Sequence, residues 1–236
     1  MKKYKLKSPF LVVNPKSYLY GEEALKLAKI CDLLSEKYGI DVIFTAQHVD
    51  IKNIASSTKN IIVTAQHMDG HSIGRGMGKI LGEGLVEAGA KATFLNHAEH
   101  PMTLSELTES INKANELGII TIVCANSIKE ARIIAHYEPD VIVCEPNELI
   151  GTGNTSSFEY MSKTNNEIHA INKEIKVLQA AGISSGEDVY SALKSGADAS
   201  GGTSGIVCSE NPELVIKDMM EWMEKWKKEM NFGDVY

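Results

Sequence analysis

The chain has 236 residues, 43% of them hydrophobic, with 24 basic and 31 acidic side chains and a net charge of −7. That length suits one barrel-sized domain over residues 1–236, and the acid excess argues against non-specific nucleic-acid binding. No apolar run nears the roughly 20 residues of a membrane span, and the amino-terminal stretch lacks the apolar core of a signal peptide. Cys31, Cys124, Cys144 and Cys208 form no C-x-x-C pair. Three of them lie in or beside apolar stretches, the expectation being reduced thiols in a cytoplasmic protein.

In chain order, residues 10–13 make the first apolar run, which ends at Asn14-Pro15-Lys16. Residues 22–38 then place Ala24, Leu27, Ala28, Cys31, Leu34 and Tyr38 on one helical face, and Gly39 predicts a left-handed cap. The second run, 42–44, ends in Thr45-Ala46-Gln47-His48, and a short helix follows over 51–56. The third run, 61–63, ends in the same four letters, Thr64-Ala65-Gln66-His67. This echo points to two equivalent strands that present their ends to one place. Residues 79–88 read as a helix weakened by Gly82 and Gly84. The fourth run, 92–95, leads into Asn96-His97-Ala98-Glu99.

Thr103 and Glu106 have capping-box spacing and open a helix with Leu107, Ile111 and Ala114 inward; Ser127 and Glu130 repeat that spacing after the fifth run, 119–124. The sixth run, 141–144, is followed at once by Glu145, and Pro146 blocks any continuation of the ladder. Gly151-Thr152-Gly153 then supplies backbone that can approach an anion. An ordinary strand ending in a turn explains this segment equally well by itself. A helix is predicted over 158–171, and the seventh run holds Val177 and Leu178 before Ala180-Ala181-Gly182-Ile183. A short helix over 186–194 and an eighth strand over 197–202, poor in apolar residues, come next. The last helix sets Ile216, Met219, Met220, Met223 and Trp226 on one face.

Eight strand–helix units in this length predict an α/β fold, a (β/α)8 barrel with its site at the carboxyl ends of the strands. That rule selects Asn14, Lys16, Gln47, His67, His97, Asn126, Glu145, Gly182 and the glycines near Gly202. Lys16 offers fixed positive charge for a phosphate or an enolate oxygen, or is a solvated surface lysine. His97 is a proton shuttle or electrophile, or a structural histidine. His67 and His71 suit zinc only on one helix, and Met68-Asp69-Gly70 between them reads as a loop, so no metal site is expected. Residues 74–78 lack the full dinucleotide fingerprint. The loops around Gly151, Gly182 and Gly202 can bring backbone N–H groups to one phosphate.

Asn14-x-Lys16, Asn96-His97-x-Glu99, Glu145-Pro-x-Glu-Leu-Ile-Gly-Thr-Gly153, Gly182-Ile183 and Gly196-Ala-Asp198 occur in an order that resembles the triosephosphate isomerases, most of all their archaeal-type branch. The resemblance implies interconversion of dihydroxyacetone phosphate and D-glyceraldehyde 3-phosphate without metal or organic cofactor, by a homodimer or homotetramer. It makes Glu145 the base and neutral His97 the electrophile and proton relay, a pairing for which this family is an established example of pKa tuning. Lys16 and Asn14 would stabilise enediolate charge, Glu99 would hold Lys16, and the loop from 146 to about 155 would close over the substrate. Phosphate would rest on Ile150, Gly151, Gly182, Thr203 and Ser204.

Against the family pattern, Ala98 replaces a serine, Pro101 a basic residue, Pro15 an aromatic, and Met77 a threonine that reaches the neighbouring subunit. Ser200-Gly201-Gly202 stands where bulky apolar residues are usual. These departures keep two other readings open. One is an isomerase of a related ketose phosphate, such as a tetrulose phosphate, in space opened by the glycines. The other is a non-catalytic barrel that binds a phosphorylated metabolite.

Overall fold

The computed structural model describes residues 3–146 and 155–233. Among these, eight parallel strands close into a barrel in chain order: β1 (Phe10–Val13), β2 (Val42–Ala46), β3 (Ile62–Ala65), β4 (Ala92–Leu95), β5 (Ile120–Ala125), β6 (Val141–Cys144), β7 (Lys176–Gln179) and β8 (Ala199–Gly202). The helices α1 (Gly21–Tyr38), α2 (Ile51–Ser57), α3 (Gly82–Ala88), α4 (Leu104–Leu117), α5 (Ile128–Ala135), α6 (Phe158–Ile171) and α7 (Gly186–Lys194) connect successive strands. α8 (Ser204–Val207) and α9 (Pro212–Gly233) follow the last strand.

Side chains alternate across each strand, so each run feeds two cores. Phe10, Val12, Ile43, Ile62, Phe94 and Ile122 fill the barrel, while Leu11, Val13, Val42 and Phe44 pack outward against the helices. Burial on both faces is why these strands are continuous apolar runs. Each large side chain hidden this way contributes roughly 1.5–3 kcal/mol relative to exposure. At the amino end, Leu6 joins the barrel interior, and the segment around it is tied down by Tyr4 Oη and the Lys7 N–H donating to the Asp41 carboxylate.

Local chemistry sets the helix ends. Gly39 caps α1 at φ 59°, its N–H on the Ser35 carbonyl, and Thr103 with Glu106 forms the full capping box of α4. At α5 only the Ser127 half forms. The Glu130 carboxylate accepts instead from the Asn126 N–H at 2.8 Å and from Asn96 Nδ2 at 3.2 Å, tying the loop after β4 to α5. The helix predicted from residue 79 begins only at Gly82. Asp69 captures the preceding residues: its carboxylate accepts from the Ile80 N–H, and its own N–H donates to the Ile80 carbonyl.

The glycines of β8 do not widen the barrel, contrary to the expectation from sequence. Gly201 lies opposite Val12 at φ +154°, and a Cβ there would sit 2.0 Å from the Val12 carbonyl oxygen. A Cβ on Gly202 would sit 2.9 Å from the Ile183 carbonyl oxygen. Backbone from β1 and the β7 loop occupies the space the missing side chains leave. Gly201→Ala is therefore expected to destabilise the chain by about 2 kcal/mol or more, read as a lower melting temperature. Unchanged melting would contradict the close approach of β1 and β8.

Candidate active site

The site begins where β1 runs out. The Asn14 N–H still donates to the Gly202 carbonyl at 3.1 Å, and the chain then turns through Pro15 so that Lys16 sits at φ 46°. A left-handed conformation costs a non-glycine residue roughly 1–2 kcal/mol, so it persists only where its surroundings hold it. Here Asn14 Oδ1 accepts from the Lys16 N–H at 3.0 Å and from Thr45 Oγ1. The Lys16 ammonium donates to Glu99 Oε1 at 2.8 Å. With the lysine side chain 18% exposed and the glutamate 60%, this pair serves orientation far more than stability. Burial pushes the Glu99 carboxyl up, but the hydrogen bond and charge of Lys16 outweigh it and hold Glu99 below its ordinary value.

At the end of β4, Asn96 also takes a left-handed turn, φ 55°. Its amide donates to the Cys124 carbonyl and Glu130 and accepts from the Met102 N–H, which braces the loop that carries His97. His97 Nδ1 accepts from the Glu99 N–H at 3.1 Å. The ring proton of the neutral imidazole therefore sits on Nε2. Burial first, and the Lys16 charge second, lower the His97 pKa, so the neutral form persists to lower pH than usual.

Glu145 continues β6 by one residue, its N–H on the Ala125 carbonyl at 3.0 Å. Burial pushes its carboxyl pKa up; Lys16 opposes that shift and Glu99 adds to it, leaving the group above the ordinary glutamate value. A carboxylate short of solvation is a stronger base, which suits proton abstraction. The neighbouring Cys124 thiol is pushed well up by burial and by the Glu145 charge, so it is a neutral wall and no nucleophile.

Asn14, Lys16, His97, Glu99 and Glu145 line one cavity of about 210 Å³, together with Gly182, Thr203 and Ser204 from the ends of β7 and β8. Ile150 and Gly151, with the rest of residues 147–154, lie outside the described residues. Of the other strand-end residues, Gln47 turns to the Lys16 backbone. His67 stacks on His100 at 4.0 Å beside a neighbouring cavity that shares Lys16 and His97. Asn126 borders a third cavity on the other side of Glu145. Among the described residues, no group of three or more His, Cys, Asp or Glu is arranged to hold a metal ion.

A family model for triosephosphate isomerase matches residues 9–206. The chain belongs to the triosephosphate isomerase family. Relatives named triosephosphate isomerase include those of Methanobacterium bryantii and Methanocaldococcus jannaschii, each 39% identical over 218 residues, which is 90% of this chain and 96% and 99% of theirs. That of Sulfurisphaera tokodaii is 34% identical over 91% of this chain and 95% of its own length. Two departures from the triosephosphate isomerase pattern have a visible place. Ala98 brings no hydroxyl to the cavity it shares with Glu145, and Met77 is fully exposed on the loop after β3. Thr45 and Gln66, which hold the Asn14–Lys16 turn, escape the strand-end rule; the repeated Thr-Ala-Gln-His was the signal for both.

Proposed function

We propose that this chain interconverts dihydroxyacetone phosphate and D-glyceraldehyde 3-phosphate through an enediolate. The observation that carries the reading is the meeting, in one cavity, of a carboxyl with a raised pKa, a neutral imidazole bearing its proton on Nε2, and a lysine. Glu145 takes a proton from the carbon beside the carbonyl and returns it to the neighbouring carbon. His97 Nε2–H polarises the oxygen and relays protons between the two oxygens. Lys16 stabilises the developing negative charge. Asn14 spends its Oδ1 on Lys16 and Thr45, which leaves Nδ2 as its donor toward substrate. Glu99 keeps Lys16 in place.

The phosphate rests on Gly182, Thr203 and Ser204, where the short α8 follows the last strand, with Ile150 and Gly151 completing the cradle. Acid–base and electrostatic chemistry suffice for this reaction, so no metal or organic cofactor is needed. In the same reading the chain works in the cytoplasm as one domain over residues 1–236, assembled as a homodimer or homotetramer. Ile73 and Met77, exposed on the loop after β3, support association. No described helix is long and apolar enough to cross a membrane.

A coupled assay on purified protein tests the reading: triose phosphates should turn over, faster than a tetrulose phosphate run in parallel. A higher kcat/KM for the tetrulose phosphate would shift the substrate. Ligand-dependent melting without any turnover would make the barrel a binding protein.

A further inference from the structure

The two Thr-Ala-Gln-His segments meet at one atom. β2 and β3 pair with Thr45 opposite Thr64 and Ala46 opposite Ala65, so Gln47 and Gln66 leave the sheet side by side. Both aim an amide at the carbonyl oxygen of Lys16, Gln47 Nε2 from 3.1 Å and Gln66 Nε2 from 2.7 Å. A carbonyl oxygen only accepts, so both glutamines must present their NH2 groups to it. Gln47 Nε2 also approaches Gln66 Oε1 at 3.2 Å and Ser17 Oγ at 3.0 Å, which links the pair. With Asn14 on its N–H, the Lys16 backbone is gripped at both polar groups by side chains from three strand ends.

That grip explains how a non-glycine residue stays left-handed at the rim of the cavity. It also fixes where the lysine stem starts and which way it leaves the chain. We propose that Gln47 and Gln66 are positioning residues that hold the Lys16 backbone so that its ammonium faces the reacting oxygens. This inference rests on the role given to Lys16 above. Neither glutamine lines the cavity that holds His97 and Glu145 together, and their shared contact with the site is the Lys16 carbonyl. Methionine preserves the length and volume of glutamine while removing the donor, which makes Gln→Met the informative change.

The experiment compares Q47M, Q66M and the double variant in the native chain and in a Lys16→Ala background. Turnover of triose phosphates, melting temperature and the Kd of inorganic phosphate are measured for each. Either single change should lower kcat/KM about tenfold and the pair about a hundredfold, the scale of a misplacement of about 1 Å. Melting should stay within about 4 °C of the native chain. In the Lys16→Ala background the same changes should cost no further activity. Equal losses in both backgrounds, or a double variant with native turnover, would overturn the proposal. If the double variant folds poorly, each single variant carries the same comparison, since each removes one of the two bonds to the Lys16 carbonyl. A native chain without triose phosphate turnover would defeat the functional reading alone. The Kd of inorganic phosphate, held by Gly182, Thr203 and Ser204, should stay near native in both glutamine variants, and a weakening would show that the changes disturb more than the Lys16 turn.

Discussion

Glu145→Gln is expected to lower kcat about 10³- to 10⁴-fold, the range in which a single positioned base contributes, while phosphate still binds with near-native affinity. The glutamine keeps the shape of the side chain and removes only its ability to take a proton. The proposed phosphate contacts, Gly182, Thr203 and Ser204, line the same cavity on other strand ends and do not involve this group. His97→Gln should cost about 10²-fold for the same reason, losing the relay but not the pocket. Parallel loss of turnover and phosphate affinity in either variant would argue against these roles. The pH profile gives a second reading of the base. Glu145 works ionised, so kcat/KM should fall as pH drops through its raised pKa, at a pH above the ordinary glutamate value of about 4.3. His97 has a lowered pKa and stays neutral below its usual value of about 6.5, so it does not set the acid limb near neutrality.

Asp198→Ala is expected to destabilise the fold by about 3 kcal/mol without changing kcat per folded molecule. For a chain of this size that is a fall in melting temperature of about 6–12 °C. Asp198 lies just before β8, at the amino end of the barrel and away from the site. Its carboxylate accepts from Lys176 Nζ and Ser8 Oγ at 2.8 Å each and from the Val177 N–H at 3.0 Å, with His169 Nε2 at 3.4 Å. It thus joins the amino-terminal segment, α6, β7 and β8. Burial pushes this carboxyl up, but His169, Lys176 and the Val177 N–H outweigh it and hold it far below the usual range. A depressed folded-state pKa adds stability in full above the unfolded value of about 4, and that stability is lost as pH falls below it. Acid unfolding of the Asp198→Ala chain should therefore depend less on pH across that window. Native melting and a native acid profile would refute the assignment.

Seven of the strands were legible in the sequence because a parallel strand buried on both faces leaves a continuous apolar run. β8 was hard to read for a physical reason: Gly201 and Gly202 pack backbone on backbone, and hydrophobicity does not record that kind of burial. The start of α3 was misplaced because Asp69 ties up the Ile80 N–H from outside the helix, a contact without local pattern. The four residues of α8 are too few for any periodicity. In the site, Asn14, Lys16, His97 and Glu145 follow from their positions at strand ends, which topology brings together. The Nε2 tautomer of His97 does not, since it depends on where the Glu99 N–H points. Gln66 carries no charge and sits in an unremarkable loop sequence, so only its echo of Gln47 marked it.

The pairing of β8 with β1 also bears on how the chain comes into being. Asn14 hangs from the Gly202 carbonyl, so the turn that carries Lys16 is anchored to a residue nearly 190 positions later. Contacts of such long sequence separation form slowly, because loop closure is paid in entropy before they contribute. During synthesis the first strand must wait, unpaired on one edge, until the eighth has left the ribosome. A nascent chain that already holds Lys16, His97 and Glu145 therefore lacks an assembled site, and activity arrives only with the final closure of the ring.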